Sequence, residues 1–240
     1  MPFTAIIARV ATPIRTARGR KHRGPRAVKS PRKTGRPSRA DALLLRQRIL
    51  DAATQLFLDH GYGSTSIEAV ADRAGVSKRT FYDRFDDKQA LFAAVVHGII
   101  EKIRPGADVP LLDGASLTAV LRHLARLMLQ AALSLPAIAL HRLVTGESMR
   151  FPELAYAVEN DGIKAEAIML IGGLLARELP AMNLSEKLRA FAAEQFIDMV
   201  ITVPQRRAMG FGTPMTSGEL DAWTAQVVMF FLRGYHGLSA

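Results

Sequence analysis

Thr65-Ser66-Ile67-Glu68-Ala69-Val70-Ala71-Asp72-Arg73-Ala74-Gly75-Val76-Ser77-Lys78-Arg79-Thr80-Phe81-Tyr82-Asp83-Arg84-Phe85 is the stretch whose reading decides the fold. Its apolar run Ile67, Val70, Ala71 is short and ends at Ala74-Gly75. Ser66 offers a hydroxyl to the free amides of a helix start, and Gly75 suits the left-handed residue that ends one. Ser77 offers a second N-cap, for a polar helix Lys78 to Arg84 whose large apolar members are Phe81, Phe85 and part of Tyr82. Two short helices joined by a glycine turn predict a helix-turn-helix over about residues 66–85. The second helix has too few apolar residues for a core element. Its solvent face is Lys78, Arg79, Thr80, Asp83 and Arg84.

Outward from this stretch the apolar period stays helical. Leu45, Ile49, Ala52, Ala53, Leu56 and Phe57 form one stripe of a helix that starts near Leu43 and stops at Gly61. Asp86-Asp87 open a longer helix with Leu91, Val95 and Ile99 on one face, ending near Arg104-Pro105-Gly106. Residues 41–104 are therefore expected to form a three-helix, homeodomain-like helix-turn-helix domain.

Gly61-Tyr62, Thr65-Ser66, Val70-Ala71, Ala74-Gly75-Val76-Ser77, Thr80-Phe81-Tyr82, Phe85 and Lys88 with Leu91, in that order, resemble the DNA-binding domain of TetR-family (TetR/AcrR) transcriptional regulators over roughly Leu43 to Arg104. Two departures stand out: Arg79 replaces a residue that is small in many members, and Arg84 replaces a common His. Both add positive charge to the face expected to meet DNA.

A reading helix in the major groove needs side chains at its N-terminal end that reach base edges, and Lys78 and Arg79 can donate to guanine O6 and N7. Ser77 and Thr80 flank them at the helix start. Thr65, Ser66, Tyr82, Arg84 and Lys88 are expected to contact phosphates, because hydroxyls and cations around the helix fix its register. The resemblance implies the same role for Thr65, Tyr82 and Lys88. The alternatives are that Tyr82 packs into the small core and that Lys88 is simply solvated. Phe81 and Phe85 are expected in the core.

The net charge of +10 is unevenly placed: residues 1–40 carry 12 Lys/Arg and no acid, while 41–240 carry 20 Lys/Arg and all 22 Asp/Glu. Prolines at 2, 13, 25, 31 and 37 rule out a sustained helix there, so residues 1–40 are expected to be a disordered basic arm. Such an arm binds polyanions by counterion release, without choosing among DNA, RNA and an anionic membrane. Its first fifteen residues also have the character of an organelle-transit peptide. Lys33-Thr34-Gly35-Arg36-Pro37-Ser38-Arg39 resembles the short basic arm of the family, and Arg36 resembles a minor-groove arginine. A solvated, nonspecific tail is the alternative.

Residues 107–240 are also helical by pattern, giving an all-α chain, and the family resemblance implies that they form the effector-binding and dimerisation domain. Leu117, Leu121, Leu124 and Met128 make a stripe that stops before Pro136; Ala137 to Val144 follows, and Phe151-Pro152 opens another helix. Gly162 interrupts before Ile163 to Leu179, Leu184 to Val203 forms a broad apolar face, and Ser217 can cap a last helix. Leu140-His141-Arg142-Leu143-Val144, Arg150-Phe151-Pro152-Glu153-Leu154 and Ala193-Glu194-Gln195-Phe196 resemble the AefR-like branch of the family. That resemblance implies that the last two long helices pair about a two-fold axis, with Phe191, Phe196, Met199, Trp223, Val227, Phe230 and Phe231 as interface candidates. An intramolecular core is the competing use of the same residues. Met128, Met149, Met169 and Met199 are adaptable candidates for lining an effector pocket, with His141, Glu147 and Gln195 as polar contacts.

Enzyme motifs are missing: the sequence holds no H-E-x-x-H, no G-x-S-x-G and no P-loop. Its zero cysteines exclude disulfides and thiolate metal sites, and the six His lack metal-ligand spacing, so no cofactor or metal is expected. The sequence therefore points to a cytoplasmic homodimer, nucleoid-associated when bound to double-stranded DNA, with no membrane partner. A repressor released by a small-molecule effector is the expected function. A nonspecific nucleoid-type protein and a regulator answering to a protein partner are the alternatives.

Overall fold

Ten helices build the part of the chain that the computed structural model describes, residues 39–104, 115–180 and 183–236. They are α1 (Arg39–His60), α2 (Ile67–Ala74), α3 (Lys78–Tyr82), α4 (Lys88–Ile103), α5 (Leu117–Ala132), α6 (Leu135–Glu147), α7 (Glu153–Glu159), α8 (Ile163–Glu178), α9 (Glu186–Ala208) and α10 (Ser217–His236). No strand occurs among the described residues. The expected arm and Arg36 lie outside them, apart from Arg39 and Ala40, which open α1.

The local rules act at the expected places. Ser66 Oγ accepts from Ala69 N at 3.1 Å, Ser77 Oγ from Thr80 N at 3.1 Å, and Asp87 Oδ1 from Ala90 N at 2.7 Å. Gly75 sits at φ +66°, ψ +38°, the left-handed conformation that lets α2 end and α3 begin within three residues. Besides α1, which opens at Arg39 and not near Leu43, three boundaries differ from expectation. α3 stops at Tyr82, because Asp83 already serves as its C-cap. Thr216, and not Ser217, caps α10: its Oγ1 accepts from Glu219 N at 3.3 Å while Glu219 Oε2 accepts from Thr216 N at 2.7 Å, a reciprocal capping box.

The third difference is that α9 runs through Pro204 instead of ending at Val203. A proline cannot donate to the carbonyl four residues earlier, which leaves Val200 O unpaired inside the helix. Trp223 Nε1 of α10 donates to that carbonyl at 3.1 Å. The helix therefore continues because a side chain replaces the missing donor.

Two apolar cores organise the packing, and they do not follow the order of the chain. One contains Ile49, Phe57, Val70, Phe81, Leu91 and Phe92 from α1–α4 and also Leu140 of α6 and Leu154 of α7. The other joins Leu121, Leu175, Phe196, Val200 and Val228 from α5, α8, α9 and α10. Thus α6 and α7, which follow α5 in sequence, pack onto the N-terminal head formed by α1–α4. Midway along α6, the exposed Arg142 also ties it to the end of α9, its Nη2 donating to Ala208 O at 3.1 Å.

Candidate nucleic-acid interface

The glycine turn sets α3 against α2 and leaves α3's polar side outward. Phe81 and Phe85 anchor it, both buried, with ring centroids 5.7 Å apart. On the open side lie Ser77, Lys78, Arg79 and Tyr82, all exposed. Arg79 makes no side-chain hydrogen bond or ion pair among the described residues and so is free to reach a ligand. Lys78 pairs with Glu68 of α2; their hydrogen bond raises the lysine's pKa and lowers that of Glu68. Ser77 Oγ and Thr80 Oγ1 lie 2.8 Å apart, which stiffens the first turn. Arg84 Nη1 donates to Thr80 O at 3.2 Å, and Tyr82 meets Phe81 edge-on while remaining 45% exposed. Ser66 is exposed at the start of α2.

Two of the expected phosphate contacts are placed differently. Thr65 is only 4% exposed, and its hydroxyl donates to Gly61 O at 2.8 Å and Leu56 O at 3.1 Å. It satisfies carbonyls at the end of α1, so its side chain has nothing left to offer a phosphate. Lys88 is half-buried with Nζ 4.2 Å from the Tyr62 ring centroid. Burial lowers its pKa, opposed by the nearby charges of Glu147 and Glu153. The lysine faces inward to carboxylates and an aromatic ring.

The seven effector-pocket candidates do not converge on one cavity. Met149 is 95% exposed, and Met169, His141 and Gln195 are exposed as well. Met128 and Met199 pack half-buried against the second core. Glu147 contacts the head: Oε1 accepts from Tyr62 N at 2.8 Å and Oε2 from Gly63 N at 2.7 Å. Residue type does not fix a cavity, which depends on how several helices diverge. A groove of about 540 Å³ does lie between α4 and α7, lined by Asp87, Ala90, His97, Glu153, Tyr156 and Asp161 among others, and none of the seven lines it.

The dimer candidates divide into two sets. Phe196 and Phe231 stack with centroids 4.9 Å apart in the second core, where Val227 is also buried, and Trp223 serves Val200. These four, with Met199 half-buried against the same core, hold one chain together, because α9 and α10 must first pack on α5 and α8. Phe191 and Phe230, 55% and 71% exposed, face outward with Met229.

A short polar helix presented by a glycine turn on a small aromatic core defines a helix-turn-helix DNA-binding domain. The description "Bacterial regulatory proteins, tetR family" matches residues 49–95, and "AefR-like transcriptional repressor, C-terminal domain" matches residues 119–237. The chain belongs to the TetR family of transcriptional regulators. The transcriptional activator FasR of Mycolicibacterium smegmatis is 38% identical over 61 residues, 25% of this chain and only 28% of that protein. The solved structure of the flavonoid-responsive regulator FrrA is similar at TM-score 0.67 and 29% identity, covering 80% of this chain and 96% of that one. A TetR-family chain from Mesorhizobium loti is similar at TM-score 0.62 and 27% identity, over 82% and 98%.

Proposed function

We propose that this regulator is a homodimeric repressor that binds a palindromic operator and is released when a small molecule binds its C-terminal half. The observation that carries most weight is the free Arg79 beside Lys78 at the exposed N-terminal end of α3, where guanidinium and ammonium donors meet guanine edges. Ser66, Ser77 and Thr80 near that end, with Tyr82 and Arg84 at the far end of α3, serve as phosphate contacts, and Arg36 as a minor-groove arm. Phe191, Met229 and Phe230 provide the apolar surface of the dimer. The AefR-like repressor domain and the likeness to a flavonoid-responsive regulator favour repression and a small-molecule effector.

Release follows from α4, which is tied at both ends to elements beyond the head. Near its start Lys88 faces Glu147 and Glu153, and at its end Arg104 pairs with Glu166 of α8. His97 Nδ1 lies 3.1 Å from Asp161 Oδ2 between them. A ligand that moves α6–α8 therefore moves α4 and the spacing of two reading helices that must engage half-sites about 34–36 Å apart. Footprinting of the full chain on genomic fragments tests the function. A protected palindrome released by a metabolite extract supports it; uniform protection at all sites favours the nucleoid-type alternative.

A further inference from the structure

Four chain elements meet where α6 ends. Glu147, the last residue of α6, grips the turn between α1 and α2 with both carboxylate oxygens, one on Tyr62 N and one on Gly63 N. Gly61 lies at φ +85°, and a Cβ there would stand 2.5 Å from Glu147 Oε1; a Cβ on Gly63 would stand 3.0 Å from Phe151 and 3.1 Å from Glu147 Oε2. The turn thus approaches α6 more closely than side chains at either position would allow. Tyr62 packs against Phe57, Phe92 and Phe151 at centroid distances of 5.5, 5.3 and 5.1 Å, and Glu153, the first residue of α7, adds to burial in raising the pKa of its hydroxyl. Lys88, the first residue of α4, closes the cluster over the Tyr62 ring.

We infer that Glu147 is a positioning residue for DNA binding: its two-point grip on the 61–63 turn sets the angle at which the head is held by the C-terminal half. Two parallel charge-assisted bonds fix rotation as well as distance, which a single contact would not do. Gly63 is exposed, so water can take over its amide when the grip is broken. Breaking the grip therefore affects orientation more than folding. Effector release and head movement would then share one breakable contact, 85 residues apart in sequence. The inference rests on the proposed function only where DNA is the readout.

The test uses the absence of native cysteine. Asp72→Cys on α2 and Asp198→Cys on α9, both exposed, take spin labels in the full chain, diluted with unlabelled protein so that each assembly holds one labelled subunit. Pulsed dipolar spectroscopy should give one narrow distance distribution, broadened or shifted by Glu147→Gln and by Gly63→Ala, with unchanged helical circular dichroism. Affinity for the palindromic duplex found by footprinting should fall about tenfold, as removal of charge-assisted bonds does, while half-site affinity stays level. Unchanged distances in both variants would overturn the inference. So would reduced helicity, which assigns Glu147 to folding, or a shifted distance with unchanged palindrome affinity. If the wild-type chain protects no palindrome, the proposed function fails and the label distances alone decide this inference.

Discussion

Trp223 donates its indole N–H to the carbonyl of Val200 at 3.1 Å, supplying the bond that Pro204 cannot make. The two residues lie on different helices, so the proline in α9 is tolerated because α10 is docked. Trp223→Phe should lower unfolding stability by about 1–3 kcal/mol, the cost of leaving a buried carbonyl unpaired. In a Pro204→Ala background, where a backbone N–H returns, the same change should cost measurably less. Urea unfolding of the four proteins checks this, and additive effects would mean that the indole is not serving that carbonyl.

The cations of α3 should separate address from grip. Arg79→Ala and Lys78→Ala should each cost about 1–3 kcal/mol on the operator and relax base preference there. Tyr82→Phe should weaken all sequences alike. Anisotropy titrations on matched and mismatched duplexes distinguish the two patterns. Lys78 must leave Glu68 to reach DNA, so Glu68→Gln should raise affinity for unrelated DNA.

Tyr62 gives a pH dependence of definite sign. Burial, then Glu153, raises its pKa above the ordinary value near 10, so the folded state keeps a proton that the unfolded state loses. Its contribution is fully present below pH 10 and is lost as pH rises toward the raised value. Tyr62→Phe, lacking the hydroxyl that Glu153 acts on, should melt lower than wild type at pH 8, and the gap should narrow between pH 10 and 11. Thermal melts across that range check it; a constant gap would contradict the assignment.

If Phe191 and Phe230 form the outer face of a dimer, Phe191→Glu combined with Phe230→Glu should leave a folded monomer near 26.2 kDa by light scattering, where wild type gives twice that mass.

Much of the head was legible in the sequence because its signals are local. Ser66, Gly75 and Ser77 act on neighbours within a few residues and occupy the expected caps and turn, while Asp87, expected inside the first turn of α4, stands one place earlier as its N-cap. The buried Phe81 and Phe85 followed from helical spacing in the same way. What escaped depends on contacts distant in sequence. Thr65 reads as a surface hydroxyl until Leu56 O and Gly61 O are seen beside it. Glu147 reads as a pocket residue because nothing in its neighbourhood points to a turn 85 positions earlier. Phe196 and Phe231 could serve either a core or a dimer by pattern, since one apolar stripe meets both needs; α5 and α8 cover them. Gly61 and Gly63, where side chains would meet Glu147 and Phe151, are the traces of that close approach, and in sequence Gly61 reads only as a helix stop.

The Lys and Arg residues that precede α1 should show their effect in salt dependence. Removing residues 1–38 should flatten the log–log salt slope by about 0.9 for each phosphate the arm had neutralised, and leave base preference intact. Titrations from low to physiological salt measure it, and disappearance of that preference would place sequence reading in the arm.

Selection of double-stranded DNA from a random pool by the full chain tests the central claim most directly. A palindromic motif with half-sites about one helical turn apart, altered at defined positions by Arg79→Ala, is the predicted result. Enrichment of no motif, or of one unchanged by both Arg79→Ala and Lys78→Ala, would contradict the account.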